Sequence, residues 1–116
     1  MKISVVQPSG DRPLFIDFNL YTDGDADFKK ELITHMIDNL QELQKALQTA
    51  HQQNTPDLFV KTSHKVKPTL SMLDDKDLLE TTHMLSEEFS NSLVRQNGII
   101  RFNTICAGII KSLEKL

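Results

Sequence analysis

The 116-residue chain has no tryptophan, one cysteine, four glycines and four prolines, and aromatic residues make up only 6% of it. Cys106 alone cannot close an internal disulfide, and no cysteine cluster exists to hold a metal. No glycine-rich phosphate loop is present, and the scarcity of aromatics speaks against sheets. An excess of basic charge is also missing. The formal net charge is -3, which demotes the nucleic-acid-binding class. No apolar run approaches the length of a membrane span. The opening Met-Lys-Ile-Ser-Val-Val-Gln-Pro carries too short an apolar stretch for a signal peptide, so the cytoplasm is the expected compartment.

What is present suits one compact domain. A hydrophobic share of 39% with 25% charged residues is enough to build a core. The abundant Leu, Lys, Glu and Gln favour helices. Ile3, Val5 and Val6 fit a short strand or a lead-in arm, and Pro8, Gly10 and Pro13 then punctuate the chain. Residues 14–21 fit either a short helix or a segment packed over one end of the domain.

From Asp25 the pattern sharpens. Asp25 is a candidate N-cap, and Asp27 adds negative charge to the first turn. Phe28, Leu32, Met36, Leu40, Leu43 and Leu47 recur at spacings of three and four, the stripe of a long amphipathic helix running to about Gln52 and closed by Asn54. Thr55-Pro56-Asp57 is a second start signal, followed by the stripe Phe59, Thr62, Val66, Leu70 and Leu73. Asp74 and Asp75 are expected to open a third helix with the stripe Leu78, Thr82, Leu85 and Phe89. Asn97-Gly98 reads as a turn, and Ile99, Phe102, Cys106, Ile109, Ile110 and Leu113 as a fourth stripe. The expected fold is therefore all-α: an antiparallel up-down-up-down four-helix bundle over residues 24–116, behind an N-terminal arm or short helix at 1–23.

Position on the helix separates the four histidines. Successive helical residues turn by about 100°, which places His64 roughly 140° from the core-facing arc of Phe59, Val66, Leu70 and Leu73. His64 is therefore expected in solvent, sharing its face with Val60, Lys61, Lys67, Pro68 and Ser71, with Lys65 next in sequence. An exposed imidazole among ammonium groups suits an added phosphoryl dianion, whose charge the lysines would offset. The plain alternative is a surface histidine among surface lysines.

The stretch Ser63-His64-Lys65-Val66-Lys67-Pro68-Thr69-Leu70-Ser71-Met72-Leu73 resembles the signature of the histidine-containing phosphotransfer (HPt) domains of bacterial multistep phosphorelays. In that family the phosphoacceptor histidine is followed by any residue, an apolar residue, lysine, glycine and small residues. His64 matches the acceptor, Val66 the apolar position and Lys67 the lysine. Asp23-Gly24-Asp25-Ala26-Asp27-Phe28 is similar to the family's helix-opening motif, and the spacing from Glu31-Leu32-Ile33 to His64 fits without insertion. The likeness covers roughly residues 20–89.

Two positions depart from the pattern: Pro68 and Asp74 stand where the family usually has glycine. Pro68 has no backbone donor and opposes the carbonyl of His64, so a kink or break is expected just after the active turn. Pro68 also biases Lys67 away from helical geometry.

The resemblance implies a phosphoprotein of two-component signalling. His64 would accept a phosphoryl group from a receiver-domain aspartate and pass it to another. Neutral imidazole, abundant near pH 7 for an ordinary histidine, is the nucleophile. Lys67 would hold the phosphoryl oxygens, with Lys61, Lys65 and Ser71 as further contacts and Val60 and Pro68 on the docking surface. The chain would bind no cofactor, Mg²⁺ being supplied by the receiver. Its partners would be response-regulator receivers and a hybrid sensor histidine kinase, with no nucleic acid and no membrane. It would act as a monomeric phosphocarrier without autokinase activity rather than as a conventional enzyme.

Two other readings compete. A helical adaptor that binds partners without phosphate needs no special residue. A metal-binding bundle would need two Glu-x-x-His segments and two further inward glutamates. Only Glu80-x-x-His83 matches, with Glu31 and His35 four apart, so no metal site is expected. His83 lies off its stripe, while His35 and His51 are expected in boundary packing. Met36, Met72 and Met84 read as core filler, and Cys106 as an inert buried thiol.

Overall fold

A computed structural model of the chain describes residues 11–116. The expected arm or strand at Ile3, Val5 and Val6 lies outside the described residues. Among those described there is no strand, and six helices occur: α1 (Phe18–Thr22), α2 (Ala26–Gln53), α3 (Asp57–Lys65), α4 (Lys67–Leu73), α5 (Lys76–Glu87) and α6 (Ser92–Glu114). Helix α2 packs on α3 and α6, α3 also meets α5, and α5 meets α6, which closes a circuit of four. No helix among the described residues is long and apolar enough to cross a membrane.

Local chemistry sets most helix ends. Asp25 caps α2 by accepting from the Phe28 N–H at 3.0 Å. Asn54 closes it in the left-handed region at φ 58°, its N–H reaching the Ala50 and His51 carbonyls. Asp75 caps α5 by accepting from the Leu78 N–H at 3.1 Å. Met36, Leu40, Leu43 and Leu47 of α2 are buried. They meet Phe59, Leu70, Leu73, Leu78, Leu85, Phe102, Ile109 and Leu113 in one core, where the Phe59 and Phe102 rings sit edge to face at 5.6 Å.

The helix pattern read in the sequence is corrected at several points. Phe28 is 45% exposed, and the buried stripe of α2 begins only at Met36. The second stripe is carried by two helices, α3 and α4, parted at Val66 (φ -95°, ψ 11°), the break that Pro68 leads one to expect just after His64. Pro68 cannot donate to the carbonyl of His64, so the ladder breaks there. The break falls ahead of Lys67, which is consequently the first residue of α4 rather than non-helical, and Pro68 sits in that helix's first turn. Asp74 ends α4 in the left-handed region at φ 50° instead of opening the next helix.

Asn97-Gly98 makes no turn, because α6 runs through it. The connection lies earlier, at 88–91, and Asn91 caps α6 through the Val94 N–H at 3.1 Å. Gly98 serves packing: a Cβ there would stand 2.7 Å from a methyl carbon of the buried Leu85.

The segment before α1 is extended and alternates. Arg12, Leu14, Ile16 and Phe18 are half-buried, while Asp11, Pro13, Phe15 and Asp17 face outward. Leu14, Ile16 and Phe18 pack against the core. Arg12 fixes the strap: its backbone N–H donates to Ser112 Oγ at 2.8 Å, and that hydroxyl donates back to the Arg12 carbonyl.

Candidate functional site

His64 lies in the last turn of α3 and is exposed, as its angular distance from the core arc requires. Phe59, Thr62 and Ser63 turn inward on the same helix and anchor it, and Ser63 Oγ donates to the Val60 carbonyl at 2.8 Å. Val66, two residues on, is buried and pins the joint between α3 and α4. The imidazole therefore projects from a fastened backbone and makes no side-chain hydrogen bond or ion pair among the described residues.

The surrounding candidates separate by element. Lys61 is exposed one turn before His64 on α3. Lys67, Pro68 and Ser71 are exposed on α4. Because the helix restarts at Val66, their phase relative to His64 is set by the joint and not by the α3 period. Val60 is half-buried, less open than an outer-face position suggests. Lys65 alone of the three lysines has an ionic partner among the described residues: its Nζ lies 2.6 Å from Glu42 Oε2 on α2.

Asn39 stands one turn before Glu42 on α2. Its Nδ2 donates at 2.7 Å to Thr69 Oγ1, a buried hydroxyl on α4. The two sides of the Val66 joint are thus tied to adjacent turns of α2. Neither Asn39 nor Glu42 is apparent in the sequence as a partner of the joint, since 23 residues separate Glu42 from Lys65. Both are half-buried on the flank of the Met36–Leu40–Leu43 stripe, and that polar flank is the one available signal.

The remaining chemical candidates disperse. Glu80 and His83 are both exposed, and no group of three or more potential ligands gathers among the described residues. His35 and His51 are exposed rather than packed at a boundary, because the buried stripe of α2 is narrower than its apolar pattern. Met36 is buried, and Met72 and Met84 are half-buried. Burial pushes the Cys106 thiol far up, with a smaller push from the Asp75 carboxylate, so no thiolate forms near neutral pH.

Among the described residues the densest charge cluster lies elsewhere, at the foot of α5. Arg12 Nε and Nη2 reach the two oxygens of buried Asp75 at 2.6 and 3.0 Å, and Nη2 also reaches Asp77 at 2.8 Å. Burial alone would raise the Asp75 carboxyl. The Arg12 hydrogen bonds and the Leu78 N–H outweigh it and hold the group below the ordinary aspartate value. The Asp75 hydrogen bond in turn raises the guanidinium. This pairing is satisfied internally and fastens the strap.

No family model, curated protein or solved structure matches the chain. The functional reading consequently rests on the site's own chemistry and on the stretch around His64.

Proposed function

We propose that the chain is a histidine phosphocarrier of the HPt type, relaying a phosphoryl group between receiver-domain aspartates in two-component signalling. The observation that carries this reading is the exposed His64 on a fastened helix end, within the run His64-Lys65-Val66-Lys67. Its scaffold is read as an antiparallel four-helix bundle, with α3 and α4 together forming a broken second helix and α1 and the strap covering one end.

In the transfer, a ring nitrogen of neutral His64 attacks the phosphorus of an aspartyl phosphate. An N–P bond forms as the acyl P–O bond breaks, and the receiver's carboxylate leaves with the electron pair. The reverse sequence delivers the group to a second receiver. The Mg²⁺ that assists belongs to the receiver. Such transfers depend chiefly on positioning and charge neutralisation, so this chain needs to supply a rigid nucleophile and local cations. Lys67 and Lys61, without ionic partners among the described residues, are the cations free to meet the phosphoryl oxygens. Ser71 is a further phosphoryl contact, and Pro68 and Val60 form the docking surface around them. The partners are receiver domains and a hybrid sensor histidine kinase in the cytoplasm, and the chain acts as a monomer.

The test is incubation of the chain with phosphorylated receivers, or with phosphoramidate followed by a receiver. An acid-labile, base-stable label lost in His64→Gln is the expected result. A label that survives this substitution overturns the reading, as does its absence with every donor.

The adaptor alternative has one specific support. Leu93 and Ile100, seven apart on α6, are 69% and 68% exposed, two apolar side chains on one outer face with Gln96 and Asn97 between them. Failure of labelling together with partner capture lost in Ile100→Lys would favour it.

A further inference from the structure

We propose that Glu42 sets the lifetime of the phosphoryl group on His64 by competing with that group for the ammonium of Lys65. This rests on the carrier reading above. The motivating geometry is the fastening of the Val66 joint to α2. Asn39 holds Thr69 on the α4 side, and Glu42 holds Lys65 on the α3 side at 2.6 Å. Asn39 and Glu42 are three apart and so share a helix edge. The buried Thr69 bond keeps that edge, and with it the Glu42 carboxylate, at the level of the joint. Lys65 directly follows the acceptor histidine, so its ammonium can change partner by side-chain motion on a flexible stem.

The competition is lopsided in a useful way. Lys65 and Glu42 are 66% and 43% exposed, and an exposed pair of this kind is weak. A phosphoryl dianion offers more charge and three acceptor oxygens. Loss of the group by hydrolysis forms a P–O bond to water as the P–N bond breaks. The ring nitrogen leaves with the electron pair and takes up a proton, and inorganic phosphate departs. Protonation of the ring assists that departure. An ammonium beside the phosphoryl oxygens opposes it by like charge. Glu42, by drawing Lys65 away, shortens the lifetime.

The experiment labels the full chain with phosphoramidate, removes the donor and follows label decay against pH. The chains compared are the parent, Glu42→Gln, Lys65→Gln and the double variant. Glu42→Gln is expected to slow decay about two- to fivefold, the span an exposed ion pair can supply, and to move the decay profile to lower pH. Lys65→Gln should hasten decay and cancel the effect of Glu42→Gln, a coupling that a general loosening of α2 would not reproduce. Parental decay in Glu42→Gln overturns the proposal. Equal slowing in the Lys65→Gln background does so too. A parent chain that takes no label at His64 removes the carrier reading itself, whereas a labelled chain with unaltered decay removes only the role of Glu42.

Discussion

Arg12 grips Asp75 through two nitrogens, Nε at 2.6 Å and Nη2 at 3.0 Å, across 63 residues of sequence. Asp75 also caps α5, so one buried carboxylate joins the strap to a helix end. Arg12→Ala leaves that carboxylate without its cation. The expected cost is about 1.5–3 kcal/mol, the range for hydrogen bonds to charged groups. Urea melts check this, and amide exchange should accelerate at 14–18 before it does elsewhere.

The same contact gives the protein an acid limb. The folded Asp75 carboxyl lies below the ordinary aspartate value, so its contribution to stability is complete above about pH 4. The contribution is lost as pH falls through the folded value, because the unfolded chain then binds more protons. Asp75→Asn should be less stable at pH 7 and should flatten the fall in urea midpoint below pH 4. An unchanged acid limb in this variant would show that other carboxylates dominate.

Gly98 is a test of packing against propensity. Alanine is about 1 kcal/mol better than glycine inside a helix. Here its Cβ would meet Leu85 carbons at 2.7 and 3.2 Å and a Met84 carbon at 3.1 Å. Leu85 is fully buried and has little room to yield. Overpacking of about 1–3 kcal/mol should therefore win, making Gly98→Ala destabilising by about 1 kcal/mol and Gly98→Val by more. Thermal melts that rise in Gly98→Ala would refute this.

Asp74 presents the opposite case. It adopts φ 50° at the end of α4, where its N–H caps the Leu70 carbonyl at 3.2 Å. Glycine enters this region without the Cβ penalty and loses part of the gain to unfolded-state entropy. Asp74→Gly should thus stabilise by about 0.5 kcal/mol, measurable as a higher urea midpoint at unchanged slope.

The legible features were those with a short sequence range. The caps at Asp25 and Asp75 and the stop at Asn54 follow from side chains that bond backbone groups a few residues away. The outward face of His64 follows from the helical period alone. Asn97-Gly98 misled because turn chemistry and close helix packing call for the same residue type, and only the approach of Leu85 distinguishes them. The split at Val66 was signalled by Pro68, but its position one residue before Lys67 depended on Val66 being pulled into the core. The strap was legible only as one of two alternatives for residues 14–21, a segment packed over one end of the domain, since the alternation of Arg12, Leu14, Ile16 and Phe18 over so few residues specifies no partner.

The amino-acid order by itself determined the helices of the described residues, both ends of α2, the cap of α5 and an imidazole facing solvent, since each depends on backbone geometry and neighbours within a turn or two. Only the tertiary structure decided that Arg12 finds Asp75, that Gly98 admits Leu85 and that Lys65 is held by Glu42. Those pairings join residues far apart in the chain, and what selects them is the shape of the packed core, which no local pattern contains.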